Sequence, residues 1–157
     1  MRKRMTNLGT QNPSPSDERW LDLECLAQVE VSSEDAEHPI ESALIPAAGV
    51  GWRAAQSGQQ TVRLFFDERL KVRRIRLVFD EHEQRRTHEF VVRWSSDGGR
   101  SYREVVRQQY NFSPPGSNRE FEDYAVDLDG VTALEVSIVP DISGASAYAS
   151  ITQLRLA

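Results

Sequence analysis

Val72-Arg73-Arg74-Ile75-Arg76-Leu77-Val78-Phe79 decides the fold class of this chain. Ile75, Leu77 and Phe79 fall on one face of an extended segment, and Arg74 and Arg76 fall on the other. A β-strand with one face in a core imposes this period of two. Upstream, Val62, Leu64 and Phe66 repeat it. Downstream, Phe90, Val92 and Trp94 do so with Arg93 turned away, and Leu134, Val136 and Ile138 alternate with Glu135 and Ser137. Further strands are predicted near residues 25–32, 101–107, 121–128 and 150–156. The last of these shifts phase between Ile151 and Leu154, the mark of a bulge.

Turn chemistry separates the strands. Ser95-Ser96-Asp97-Gly98-Gly99-Arg100-Ser101 is a hairpin signal, because glycine reaches the positive φ that tight turns need. Residues 114–118 (PPGSN) predict a wide loop and Asp127-Leu128-Asp129-Gly130 another turn. No window of 15 residues carries a helical period, although Ile40–Leu44 suits one short turn. About eight antiparallel strands without alternating helices predict an all-β jelly-roll sandwich. Residues 1–19, polar and holding Pro13 and Pro15, read as a flexible leader, and residues 20–157 as a single domain.

Composition narrows the function classes. The chain has 157 residues, 39% hydrophobic and 27% charged, and lacks the run of about 20 apolar residues that a membrane span needs. Basic Met1-Arg2-Lys3-Arg4 is followed by polar sequence rather than the apolar part of a secretory signal, which points to a soluble, cytoplasmic protein. One cysteine, Cys25, excludes an internal disulfide framework, and its place at an apolar strand start predicts a buried, inert thiol. Nineteen Lys and Arg against 24 Asp and Glu give −5, which argues against general nucleic-acid binding. The charge is uneven: residues 61–107 hold 12 basic and 8 acidic side chains (+4), the remainder 7 and 16 (−9). Arg74, Arg76 and Arg93 on outward faces could therefore dock an acidic protein partner.

The order of landmarks resembles the discoidin, or coagulation-factor C-type, family of galactose-binding-like jelly rolls. Four pieces carry the resemblance: Val29-Glu30-Val31-Ser32-Ser33-Glu34-Asp35 with Pro39 and Ala43; Gly51-Trp52-Arg53-Ala54-Ala55 with the strand from Gln59; residues 90–102 (FVVRWSSDGGRSY); and the closing residues 149–156 (ASITQLRL). Domains of this family are mostly noncatalytic binding modules, often for carbohydrates and sometimes for lipid headgroups or proteins. The resemblance also implies a structural calcium site, from which the sequence departs. The loop before Trp52 has no carboxylate and Gln153 stands near the place of a late glutamate, so no cofactor is expected unless backbone carbonyls supply the calcium ligands. Trp52-Arg53-Ala54-Ala55 is similar as well to the amino-terminal domain of a DNA strand-break repair scaffold of the same fold.

Candidate ligand residues follow from the chemistry of sugar recognition, in which an aromatic face stacks on a pyranose while amides and guanidinium groups bond its hydroxyls. Tyr110 and Asn111, where a strand runs into the Pro-rich loop, have that character. Trp52 and Arg53 lie in a loop that, in the family, opens toward the same end. Arg85, Arg86 and His88 belong to the polar stretch 81–89. Each has a plainer role available: Trp52, Tyr110 and Phe112 as core packing, the arginines and histidines as a solvated connection. His82 and His88 do not form a helical His-Glu-x-x-His site, no nucleophile elbow or phosphate loop is present, and no carboxylate pair is singled out by spacing. The expectation is a module that binds a carbohydrate without transforming it, with an intracellular protein-interaction module using the arginine-rich face as the alternative.

Overall fold

Asp22 sets the first turn of the domain. Its side chain accepts a hydrogen bond from the backbone N–H of Cys25 and caps a four-residue helical turn, α1 (Leu23–Leu26). In this computed structural model, which describes residues 20–46 and 49–157, that turn directs Leu23 into the core and leaves Cys25 exposed. The buried thiol predicted from the sequence is thus corrected: Asp22 winds the segment into a helix where a strand was expected. The hydrogen bond and negative charge of Asp22 raise the Cys25 pKa.

Eight strands are present: β1 (Ala27–Val31), β2 (Trp52–Arg53), β3 (Gln60–Asp80), β4 (Arg86–Ser95), β5 (Arg103–Phe112), β6 (Arg119–Val139), β7 (Ser150–Ile151) and β8 (Gln153–Leu156); all but β2, which was expected as a loop, fall on segments read as strands. A second short helix, α2 (Glu41–Leu44), occupies the place predicted for a single turn. All the pairings are antiparallel. Two strands are 21 residues long and serve both layers of a sandwich. The first half of β3 and the second half of β6 pair between β1 and β4, with β5 beyond β4. The second half of β3 pairs with the first half of β6 on one side and with β8 on the other. The result is a jelly-roll β-sandwich.

The corner explains one of the strand boundaries that differ from the sequence reading. Asp127–Gly130 was expected to separate two strands, yet β6 runs through it. Register shifts in β3 between Phe65, Leu70, Val72 and Arg74 let the partner bend in step, and Gly130, at φ 73°, takes the corner within β6. The predicted phase shift near the end is present: Thr152 separates β7 from β8 and donates its N–H to the Val78 carbonyl.

The alternating apolar residues fill the space between the layers. Val62, Leu64, Ile75, Leu77, Phe79, Phe90, Val92, Leu134, Val136, Ile138, Leu154 and Leu156 are all buried in one cluster. Phe112 joins them and closes the core beneath the Pro-rich loop. Full burial of such side chains contributes about 1.5–3 kcal/mol each. The outward arginines are engaged. Arg74 and Arg76 both bond the Asp123 carboxylate and stack on Trp20, while Arg93 and Arg63 share Glu135. At the base, Leu21 donates to the Leu156 carbonyl (2.7 Å), and the Ala157 carbonyl accepts from Arg73 and Arg74. Both ends of the described domain therefore meet beside residues 73–74. The leader read over residues 1–19 lies outside the described residues. Among those described, no helix is long and apolar enough to cross a membrane.

Candidate functional site

β3 ends at Asp80 and β6 begins at Arg119, and these two residues pair across the strands at the pole opposite the chain ends. The ribbon β2–β7 and the loops around residues 49–51, 81–85 and 146–149 rise around them. They enclose an open cavity of about 550 Å³. A second recess of about 160 Å³ shares Arg53, Asp80, His82 and Ser150 with it, so the two form one continuous groove.

Asp80 anchors the floor. Arg119 donates to both carboxylate oxygens, at 2.9 and 3.2 Å, and the Thr152 hydroxyl donates at 2.7 Å. Partial burial works to raise its pKa, but these donors outweigh burial and hold it below the ordinary aspartate value. Glu81 behaves alike. Burial opposes its charge, and the N–H groups of Glu83 and Gln84 together with the Arg86 guanidinium (2.6 Å) overcome that opposition.

The walls carry planar polar groups. Arg53 is exposed on β2, its guanidinium 5.2 Å from the centroid of the Tyr148 ring. Tyr148 is 40% exposed and lines the smaller recess. His82 borders both cavities, and Asn118 and His38 border the larger; His38 Nδ1 lies 3.0 Å from Asp35. Gly51 makes the wall possible. At φ 78° it brings the chain so close to β7 that an added Cβ would lie 2.7 Å from the Ile151 carbonyl oxygen.

The residues singled out from the sequence are dispersed across this geometry. Arg53 stands in the groove. Trp52 borders it but is 1% exposed, its indole N–H donating to the Ser33 carbonyl, so it is chiefly a packing residue. Arg86 forms the inner wall of the recess at 5% exposure, held by Glu81 and the Pro140 carbonyl, whereas neighbouring Arg85 is exposed and lines neither cavity. His88 is buried among Phe79, Phe90 and Phe112 with its Nε2 2.6 Å from Glu120. Desolvation, with the nearby Arg86 charge, lowers its pKa to about 3. Tyr110 donates its hydroxyl to the Arg119 carbonyl and packs on Phe112, and Asn111 accepts from the Thr87 hydroxyl. Both lie on β5 because that strand continues to Phe112, paired with β4, where a loop was expected after residue 107. Neither lines the groove.

Missed by the sequence reading were His38, Asp80, Asn118, Arg119 and Tyr148. His82 was read as part of a polar loop and set aside as a metal ligand, but not named as a groove residue. The phase of β4 was a usable signal: positions 86 and 88 share parity with Phe90 and Val92, which places them inside.

No protein-family model and no curated relative matches the sequence. Solved structures do match. A family 32 carbohydrate-binding module of C. perfringens NanJ, in complex with galactose, superposes with a TM-score of 0.66 at 13% identity, covering 87% of this chain and 96% of that one. The corresponding module of AlyQ, in complex with 4,5-unsaturated mannuronic acid, gives 0.65 at 18% identity, covering 89% and 98%. A pectin-binding module gives 0.61 at 18%, covering 83% and 89%. The fold is a galactose-binding-like jelly roll.

The cytoplasmic location expected from the polar leader is corrected by the same comparison. The matches include a module of a family 31 glycoside hydrolase and one joined to an alginate lyase domain, and modules of this kind are typically extracellular parts of secreted enzymes. Among the described residues, no group of three or more His, Cys, Asp or Glu side chains is placed to hold a metal ion.

Proposed function

We propose that residues 20–157 form a noncatalytic carbohydrate-binding module whose site is the polar groove. The single observation that carries this reading is the groove itself: an open cavity at one pole, walled by Arg53, His82 and Asn118 and continuous with the exposed ring of Tyr148. Guanidinium, imidazole and amide groups bond vicinal hydroxyls, and an exposed aromatic ring covers the apolar patch of a pyranose. The matched solved structures, several of them sugar complexes, support it through the shared fold. Discoidin-type membership is narrower than this reading requires.

The two carboxylates held at the floor of the groove favour binding over hydrolysis. Glycoside hydrolysis needs a pair, one of them able to hold a proton near neutral pH. Asp80 and Glu81 are both locked to arginines and have lowered pKa values, the opposite of a general acid. The proposal includes no resident metal. An acidic protein partner on the arginine face is the weaker reading, because Arg74, Arg76 and Arg93 are committed to carboxylates of their own chain.

A glycan array followed by calorimetry tests the proposal. We expect enrichment of a sugar class, with His82→Ala and Tyr148→Ala each weakening its binding about three- to tenfold while circular dichroism is unchanged. Loss of one hydrogen bond or one stacking contact is worth about 0.5–1.5 kcal/mol. An array with no sugar enriched refutes the reading.

A further inference from the structure

The hydrogen-bonding groups of the larger cavity are unevenly spent. Asp80 is the carboxylate that lines it, and it already accepts three hydrogen bonds, two from Arg119 and one from Thr152. Arg119 is committed to Asp80 by the same contacts. Thr152 has given its proton, and the Trp52 indole N–H is taken by Ser33. Arg53 differs. Among the described residues no carboxylate lies within ion-pair distance of its guanidinium, no side-chain hydrogen bond is made by it, and its only close partner is the face of Tyr148. A ring face holds a guanidinium flat and leaves its N–H edge free. Asp35, whose carboxylate feels the charge of Arg53, is bonded by His38. His82, on the wall shared with Arg53, also has no hydrogen-bond partner among the described residues.

A neutral sugar hydroxyl is best met by a donor and an acceptor together. This cavity offers neutral acceptors at Asn118 and Ser150, but its carboxylate is occupied and its uncommitted charged group is the Arg53 guanidinium. The ligand group that suits such a wall is an anionic acceptor, and the planar fork of arginine matches a carboxylate in particular. In the larger cavity the charge of Asp80 is balanced by Arg119, which leaves Arg53 in excess, whereas the recess adds both Glu81 and Glu83 against Arg86, so an anion meets less repulsion in the larger cavity.

We infer that the groove selects acidic sugars, with Arg53 receiving the carboxylate of a uronic acid residue in the larger cavity. This rests on the groove being a carbohydrate site and adds the class of sugar.

Titration calorimetry of the full chain with trigalacturonate, trimannuronate, the methyl esters of both, and galactotriose tests it. The acids are expected to bind at least tenfold more tightly than their esters and than galactotriose at 0.15 M salt. That preference should shrink as salt is raised, since the paired charges are partly solvated. In Arg53→Gln the ratio of acid to ester affinity is expected to fall to within twofold of one, whatever the absolute loss. Arg85→Ala, an exposed arginine outside both cavities, controls for general charge and should keep the ratio. Esters or galactotriose binding as tightly as the acids, or Arg53→Gln keeping the preference, overturns the acidic selection and leaves the sugar site standing. Binding of no sugar at all overturns both.

Discussion

Buried His88 and Glu120, with half-buried Glu122 and Tyr124 beside them on β6, form a polar seam against the core. Glu120 bonds His88, while Glu120 Oε2 and the Tyr124 hydroxyl are buried with no hydrogen-bond partner among the described residues. Burial, then the hydrogen bond and charge of Glu120, raise the Glu122 pKa to about 7. A carboxyl with a folded pKa above its unfolded value stabilises the fold fully only below the unfolded value, and that contribution is lost as pH rises through the folded one. His88, whose pKa is lowered, acts in the opposite sense, so the separate effect of Glu122 is read from a difference. Relative to the native chain, Glu122→Gln should gain stability progressively as pH rises from about 4.5 to about 7 and show a constant difference above that. Urea unfolding across this range measures it; a difference that does not change with pH excludes the raised pKa. At this scale the sequence was only partly legible. Arg53 could be named although the expected loop is the short strand β2, whereas His88 and Arg86 read as loop residues despite the inward parity they share with Phe90 on β4.

At the scale of elements, alternation carried most of the reading. All eight predicted segments contain strand residues, because side chains two apart must share a face and that constraint is local. What failed was non-local. The turn chemistry of Asp127–Gly130 is real, but the bend in β3 lies some 60 residues away in sequence and converts an expected turn into a corner within one strand. Groove residues such as Asp80, Asn118 and Arg119 escaped for the same reason, since they meet only where two long strands end together. Gly51 shows how much rests on two-residue β2 and β7. In Gly51→Ala the new methyl meets the Ile151 carbonyl and the Thr152 Cα, at a φ that L-residues disfavour by about 1–2 kcal/mol. The expected outcome is a lowered melting temperature together with loss of sugar binding, measured by calorimetry. An alanine variant that keeps both would show that the ribbon does not shape the groove.

For the whole molecule, the sharing of β3 and β6 between layers makes one hydrophobic cluster of the two sheets, so neither layer has a core of its own. The two ends of the described chain meet beside residues 73–74, whereas the groove opens at Asp80. Six to seven strand residues separate these points, about 20 Å at the rise of an extended strand. A fluorescent protein fused after Ala157 should accordingly leave sugar affinity within about twofold of the untagged chain, as read by calorimetry; a large loss would place the working surface near the base. A domain joined after Ala157 would therefore stand at the far end of the sandwich from the proposed sugar groove, with its tether clear of that contact.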